Sequence, residues 1–209
     1  PVAPVDSEHL RASLAAILNR HAALHMTFHH DEHHWVQRLE NYDKVAIPLH
    51  VEDLRALPLT DQMNELRERA THWQRSLNLD AGPLTRMVLF ECTAGQRLLW
   101  CIHHLVVDGV SWRLLLGDLE SAYEAARRGR PIELPRSMAE FFDWALFLDH
   151  FARQSALADE LRYWQGWART PSLPVDYPDA IPTWDSTSHV SFKLDRDSTR
   201  ALLEQAPAA

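Results

Sequence analysis

Glycine is scarce in this sequence: six in 209 residues, about 3% where ~7% is usual. None forms a GxGxxG or a P-loop, which excludes nucleotide sites of those two kinds. Cysteine is scarcer still, with Cys92 and Cys101 alone. A simple hairpin turning at Thr93–Gln96 puts Cys101 opposite Met87–Leu89 and Cys92 opposite Arg97. That is too far apart for a disulfide, which needs Cα atoms within ~7 Å. Two reduced thiols suit a cytosolic protein, and cytoplasmic is the expected location. CxxC and HExxH are both absent. No apolar run approaches the ~18 residues of a membrane span; the longest candidate, Leu98–Val107, holds two histidines. Asp6 and Glu8 stand where a signal peptide would be basic. A start at Pro1 rather than Met suggests a fragment. Positive charge is in deficit, 21 Lys and Arg against 29 Asp and Glu, which argues against nucleic acid and membrane as partners.

Aromatic residues, by contrast, are plentiful. Eight Trp, seven Phe and four Tyr exclude a disordered chain. A chain of this length can bury roughly 70% of its unfolded surface, so a core is expected.

Asp6 can cap a helix whose Leu10, Leu14, Ile17 and Leu18 share one stripe. Met26–His30 and Trp35–Leu39 read as short strands, and Ile47–Val51 as a third. Thr60 opens a helix with Met63, Leu66, Ala70, Trp73 and Leu77 inward. Leu84–Cys92 and Arg97–His104 form the best strand pair, apolar on both faces and therefore central in a helix-covered sheet. Ser111–Arg128 is an amphipathic helix with Trp112, Leu115, Leu116, Leu119, Ala122, Tyr123 and Ala126 on one stripe, and Gly129 stops it. Ser137–Arg153 and Ala156–Ala168 read as two more helices. Prolines 171, 174, 178 and 182 mark an irregular stretch. His189–Leu194 reads as a late strand, and Asp197 as the cap of a last short helix. Strands mix with helices without regular βαβ alternation, so the expected class is α+β.

Chemistry concentrates in Cys101–Arg113, where a buried strand ends in two histidines, a loop carries Asp108 and Gly109, and a helix begins. Strand alternation sends His103 and His104 to opposite faces, so one base would leave the other structural. A histidine at a helix N-terminus meets the positive end of the dipole, which favours the neutral, proton-accepting imidazole. Gly109, lacking Cβ, permits a close approach. Equally, both histidines could be hydrogen-bonded core residues and Asp108 no more than a helix cap.

His103-His104-Leu-Val-Val-Asp108-Gly109 resembles the HHxxxDG motif of the condensation-domain superfamily of nonribosomal peptide synthetases. Leu18–Leu24 resembles that family's early helix, Gly82-Pro83-Leu84-Thr-Arg86 its GPLxR strand, and Tyr163-Trp164 followed by Leu173–Pro178 the approach to its second lobe. Val110-Ser111-Trp112-Arg113 resembles epimerization domains in particular. The resemblance implies a chloramphenicol acetyltransferase-like sandwich lobe with a mixed or antiparallel sheet. Residues 1–170 would form the N-terminal lobe, and 171–209 the connection towards a C-terminal lobe absent from this sequence.

The implied reaction is epimerization, L to D, at Cα of an aminoacyl or peptidyl thioester. The phosphopantetheine arm of a peptidyl carrier protein would hold the substrate, with no cofactor bound directly. His104 would be the base and His103 its support. Asp108 would be structural, paired with Arg86, which the hairpin above places opposite His103. Ser111 and Trp112 would lie near substrate and pantetheine. The family's second proton carrier is a glutamate in an EGHGR-like stretch of the other lobe; no such stretch occurs here. The 209 residues alone are therefore expected to be inactive. Amide-forming condensation and a degenerate carrier-docking lobe are the competing functions.

His29-His30-Asp-Glu-His33-His34 tempts a metal reading, but it sits at an expected hairpin tip and alternation splits it between faces, so no metal is expected. Trp144, Trp164, Trp167 and Trp184 read as core and lobe-interface packing. Arg127-Arg128-Gly-Arg130 reads as surface at a helix end.

Overall fold

The computed structural model describes residues 4–40, 47–135, 140–167, 174–177, 179–181 and 183–208. Asp6 accepts hydrogen bonds from the Glu8 and His9 amides, relieving two of the donors that every helix start leaves over. Helix α1 (Ser7–Arg20) follows and buries Leu10, Leu14, Ile17 and Leu18. Strands β1 (Met26–His30) and β2 (Trp35–Leu39) form an antiparallel hairpin at the expected positions.

A three-stranded sheet comes next, in the order β3-β4-β5. Strand β3 (Leu49–Asp53) starts two residues later than its apolar run suggests. It lies parallel to β4 (Thr85–Glu91), which pairs antiparallel with β5 (Arg97–Ile102). Helix α2 (Leu59–Arg75) makes the crossover between β3 and β4. Only β4 is central; β5 is an edge among the described strands, and its first half is exposed.

Alternation along β4 builds both cores. Met87 and Leu89 point into a cluster with α1 and with α3 (Ser111–Arg127), including Leu14, Ile17 and Leu115. Val88 and Phe90 point the other way, against Leu66, Ala70 and Trp73 of α2. The sheet is thus covered by helices on both faces, the α+β arrangement expected. Met63 departs from the expected pattern by lying in solvent, while Gln62 is buried. The Gln62 amide donates to the Leu57 carbonyl (2.9 Å) and Thr93 Oγ1 (2.8 Å), and its oxygen accepts from the Thr93 amide (3.0 Å). Satisfied on both sides, a polar side chain can enter the core. Leu116 is likewise exposed, leaving Leu115 and Ala122 as the buried seam of α3. Gly129 ends that helix at φ +64°, as expected.

Contacts divide the chain into Pro1–Gln154 and Ser155–Ala209. The expected boundary at 170 falls on residues outside those described. The first unit includes α4 (Phe141–Ala152), and residues 137–139 of the expected helix start also lie outside the described residues. Trp144 is exposed and stacks on Phe147, so of the expected core and lobe-interface packing it takes no part in this unit's core.

The second unit holds α5 (Ala158–Trp167) and the short α6 (Arg196–Arg200). Trp164 and Trp184 are exposed too. Residues 189–194 form no strand: no described strand pairs with them, and Val190 and Phe192 stand in solvent. Asp195, not Asp197, caps α6 by accepting from the Ser198 amide. No described helix is long and apolar enough to cross a membrane.

Candidate active site

Strand β5 stops at Ile102, one residue before the paired histidines. The His103 amide extends the ladder once, donating to the Leu84 carbonyl at 2.9 Å. The chain then turns, with the Val106 amide donating to the His103 carbonyl (3.0 Å). Val106 and Val107 are buried in the main core and pin the loop there. Because both histidines lie beyond the strand, this turn and not alternation sets their directions.

The two imidazoles have different surroundings. His103 Nδ1 accepts from the Leu105 amide at 3.2 Å, so a neutral His103 carries its proton on Nε2. His104 makes no hydrogen bond among the described residues and lines a cavity of about 230 Å³. Ala23, Met26, Val106, Val107 and Phe141 supply the apolar wall; Asp108 and Ser111 supply polar groups. His103 and Trp112 are not among the lining residues.

Asp108 serves the start of α3. Its Oδ1 accepts from the Ser111 amide (2.7 Å) and hydroxyl (2.6 Å). The Ser111 hydroxyl and amide together hold this carboxyl below the usual carboxylate range. The expected ion pair with Arg86 is absent, because the hairpin register differs. Arg86 faces Cys101, not His103. Its guanidinium donates to the carbonyls of Pro83 (2.6 Å), Thr85 (2.8 Å) and Ser76 (3.3 Å). A two-residue shift keeps Arg86 on its face of the sheet but moves it along the strand, away from the histidine loop.

Trp112 packs edge-on against Trp100 at 5.4 Å, and Trp100 Nε1 donates to Thr85 Oγ1. Its place is therefore between helix and sheet. Gly109 has no positive φ, and a Cβ there would meet nothing within 4 Å, so the protein's own packing does not require glycine.

The His29–His34 run forms the tip of the β1–β2 hairpin. Asp31 accepts from the His33 and His34 amides, while His29 pairs with Asp80. No three metal-ligating side chains gather among the described residues. Cys92 and Cys101 are free thiols. Burial pushes the Cys101 thiol up.

Sequence reasoning missed Ala23, Met26 and Phe141 at the cavity. Nothing in their local pattern marks them, since they come from the turn after α1, the start of β1 and the start of α4. It also missed the contact between His21 and Asp118, whose Nε2 and Oδ2 lie 2.6 Å apart.

The family model for the condensation domain matches residues 2–209. A linear gramicidin synthase polypeptide of Brevibacillus parabrevis is 39% identical over 207 residues, which is 98% of this chain and 4% of that protein. Tyrocidine synthase 1 of the same organism is 32% identical over 98% of this chain and 19% of its own length. Among solved structures, the epimerization domain from the third module of tyrocidine synthetase B superposes with a TM-score of 0.76. It is 31% identical, over 82% of this chain and 39% of that one. The condensation domain that mediates chain release from the enacyloxin polyketide synthase gives a TM-score of 0.62 at 26% identity, over 81% of this chain and 33% of that one. The chain therefore spans less than half the length of these relatives, and the fold is that of a chloramphenicol acetyltransferase-like lobe. With almost every residue inside the family model, this chain belongs to the condensation-domain family of nonribosomal peptide synthetases.

Proposed function

We propose that this chain carries the base of an epimerization domain acting on a carrier-bound aminoacyl or peptidyl thioester. The observation that carries the reading is His104: an imidazole with no hydrogen-bond partner among the described residues, bordering a largely apolar cavity. The VSWR run of residues 110–113 and the 31% identity to an epimerization domain support it.

A thioester carbonyl acidifies the neighbouring Cα–H. His104 takes that proton, and the electron pair moves onto the thioester oxygen as an enolate. Returning a proton to the opposite face gives the D residue. A positioned base of this kind contributes about 10²–10⁴ in rate. His103 is held by the Leu105 amide and positions the loop; Asp108 and Ser111 fix the start of α3 beneath it. The group on the opposite face corresponds to the EGHGR-like glutamate, a stretch that this sequence does not contain. The carrier's phosphopantetheine arm delivers the substrate, and a peptidyl carrier protein and the complementary lobe are the partners.

Deuterium incorporation at Cα of a carrier-bound L-aminoacyl thioester, measured in D₂O on the full-length protein that contains this sequence, tests the reading. His104→Ala is expected to abolish it. Near-wild-type exchange in that variant would remove His104 from the base role. A second reading, condensation, is favoured by the likeness to a condensation domain. Amide formation without exchange would establish it instead.

A further inference from the structure

The cavity has walls that the proton transfer itself does not use. We propose that it receives the side chain of the residue whose α-proton His104 takes, and that Ala23, Met26 and Phe141 select apolar side chains there. The proposal rests on the epimerization reading for what stands beside His104, and on the cavity alone for what it selects.

Geometry and chemistry lead to the same occupant. Four groups radiate from the reacting carbon: the proton, the nitrogen, the thioester carbonyl and the side chain. When the proton points at His104, a space that also borders His104 lies one bond from the others. The nitrogen and the carbonyl need hydrogen-bond partners. Ala23, Met26, Val106, Val107 and Phe141 offer none from their side chains, and Asp108 and Ser111 already bind one another. An apolar side chain suits such walls because leaving water is what drives it in.

Size narrows the occupant further. Pockets that enclose whole drug-sized ligands run to roughly 300–1,000 Å³. This one measures about 230 Å³, a size suited to one side chain. The walls also differ in how they can change. Met26 is 1% exposed and forms the floor. Ala23 is the smallest wall residue, so enlarging it fills the space. Phe141 is 48% exposed, and truncating it opens the space without removing core.

The experiment measures affinity separately from chemistry. Alanyl, leucyl, tryptophanyl and aspartyl pantetheine analogues, with an amide in place of the thioester, are titrated calorimetrically into the full-length protein. Leucyl is expected to bind at least tenfold more tightly than aspartyl. Ala23→Leu should weaken leucyl at least tenfold and leave alanyl unchanged. Phe141→Ala, a surface change that does not depend on Ala23→Leu folding, should improve tryptophanyl relative to alanyl.

Affinities independent of the side chain would overturn the proposal. So would an Ala23→Leu variant that weakens every analogue equally, because the cavity would then hold the common arm. Selective binding without α-proton exchange supports the pocket and removes the epimerization reading. Exchange with unselective binding does the reverse.

Discussion

The His21 imidazole and the Asp118 carboxylate meet at 2.6 Å, joining the end of α1 to the middle of α3. Their side chains are only 20% and 18% exposed. Removing either partner strands the other away from water, a loss of about 1–3 kcal/mol. For a chain of this size each kcal/mol moves the melting temperature by about 2–4 °C. His21→Ala and Asp118→Ala should each lower it by several degrees. The double variant should lose less than their sum, and strict additivity would show that the contact carries no coupling.

Gln62 gives a sharper stability test. Gln62→Leu keeps the volume and adds apolar surface, which simple hydrophobicity would favour. It leaves the Thr93 amide and the Leu57 carbonyl without their partner. We expect a net loss of about 1–3 kcal/mol, read by urea denaturation. An unchanged midpoint would mean that water replaces the amide.

Acid should loosen the fold before the carboxylates titrate. Burial, then the nearby Arg86 charge, pull His50 below the usual histidine range, with a smaller contribution from Arg11 and an opposing one from Glu52. Burial also lowers His25. Both stay neutral in the folded chain at pH values where the unfolded chain, near 6.5, has begun to take up protons. The stability they support is complete above about pH 6.5 and is lost as pH falls below it. Melting temperature should decline from pH 7 to pH 5. His50→Phe, which keeps the stack on Trp73, should flatten part of that decline.

Asp108 should behave as a helix cap. Asp108→Ala is expected to lower melting less than Gln62→Leu, with Asp108→Asn restoring most of the loss, because either side chain can accept from the Ser111 amide. A large loss that asparagine does not restore would point to a charge partner for Asp108.

Helices with strong stripes and caps were legible in the sequence. Asp6, the β1–β2 hairpin and Gly129 all stand where expected, because each depends on residues within one turn or one hairpin. The histidine loop was legible as a motif. Its partners were not, because the β4–β5 register decides them. A two-residue shift preserves every apolar face, so hydrophobic alternation could not distinguish the two pairings, yet it takes Arg86 from His103 to Cys101. Gln62 was missed because its burial depends on Thr93, 31 positions away. Residues 189–194 have a strand's composition but no described strand beside them, and a ladder needs two sides.

The parallel pairing of β3 with β4 has a consequence for the order in which the molecule assembles. Residues 54–84, 31 positions, must be gathered in before β3 reaches β4, whereas only residues 92–96, five positions, separate β4 from β5. Loop closure disfavours the longer connection by about 1.6 kcal/mol, more than a tenfold bias towards the hairpin. The strand that leads into the His103–His104 loop is thus zipped to β4 early, and β3 docks later on a template already in register. Pulsed amide exchange during refolding should protect the β4–β5 amides ahead of those of β3.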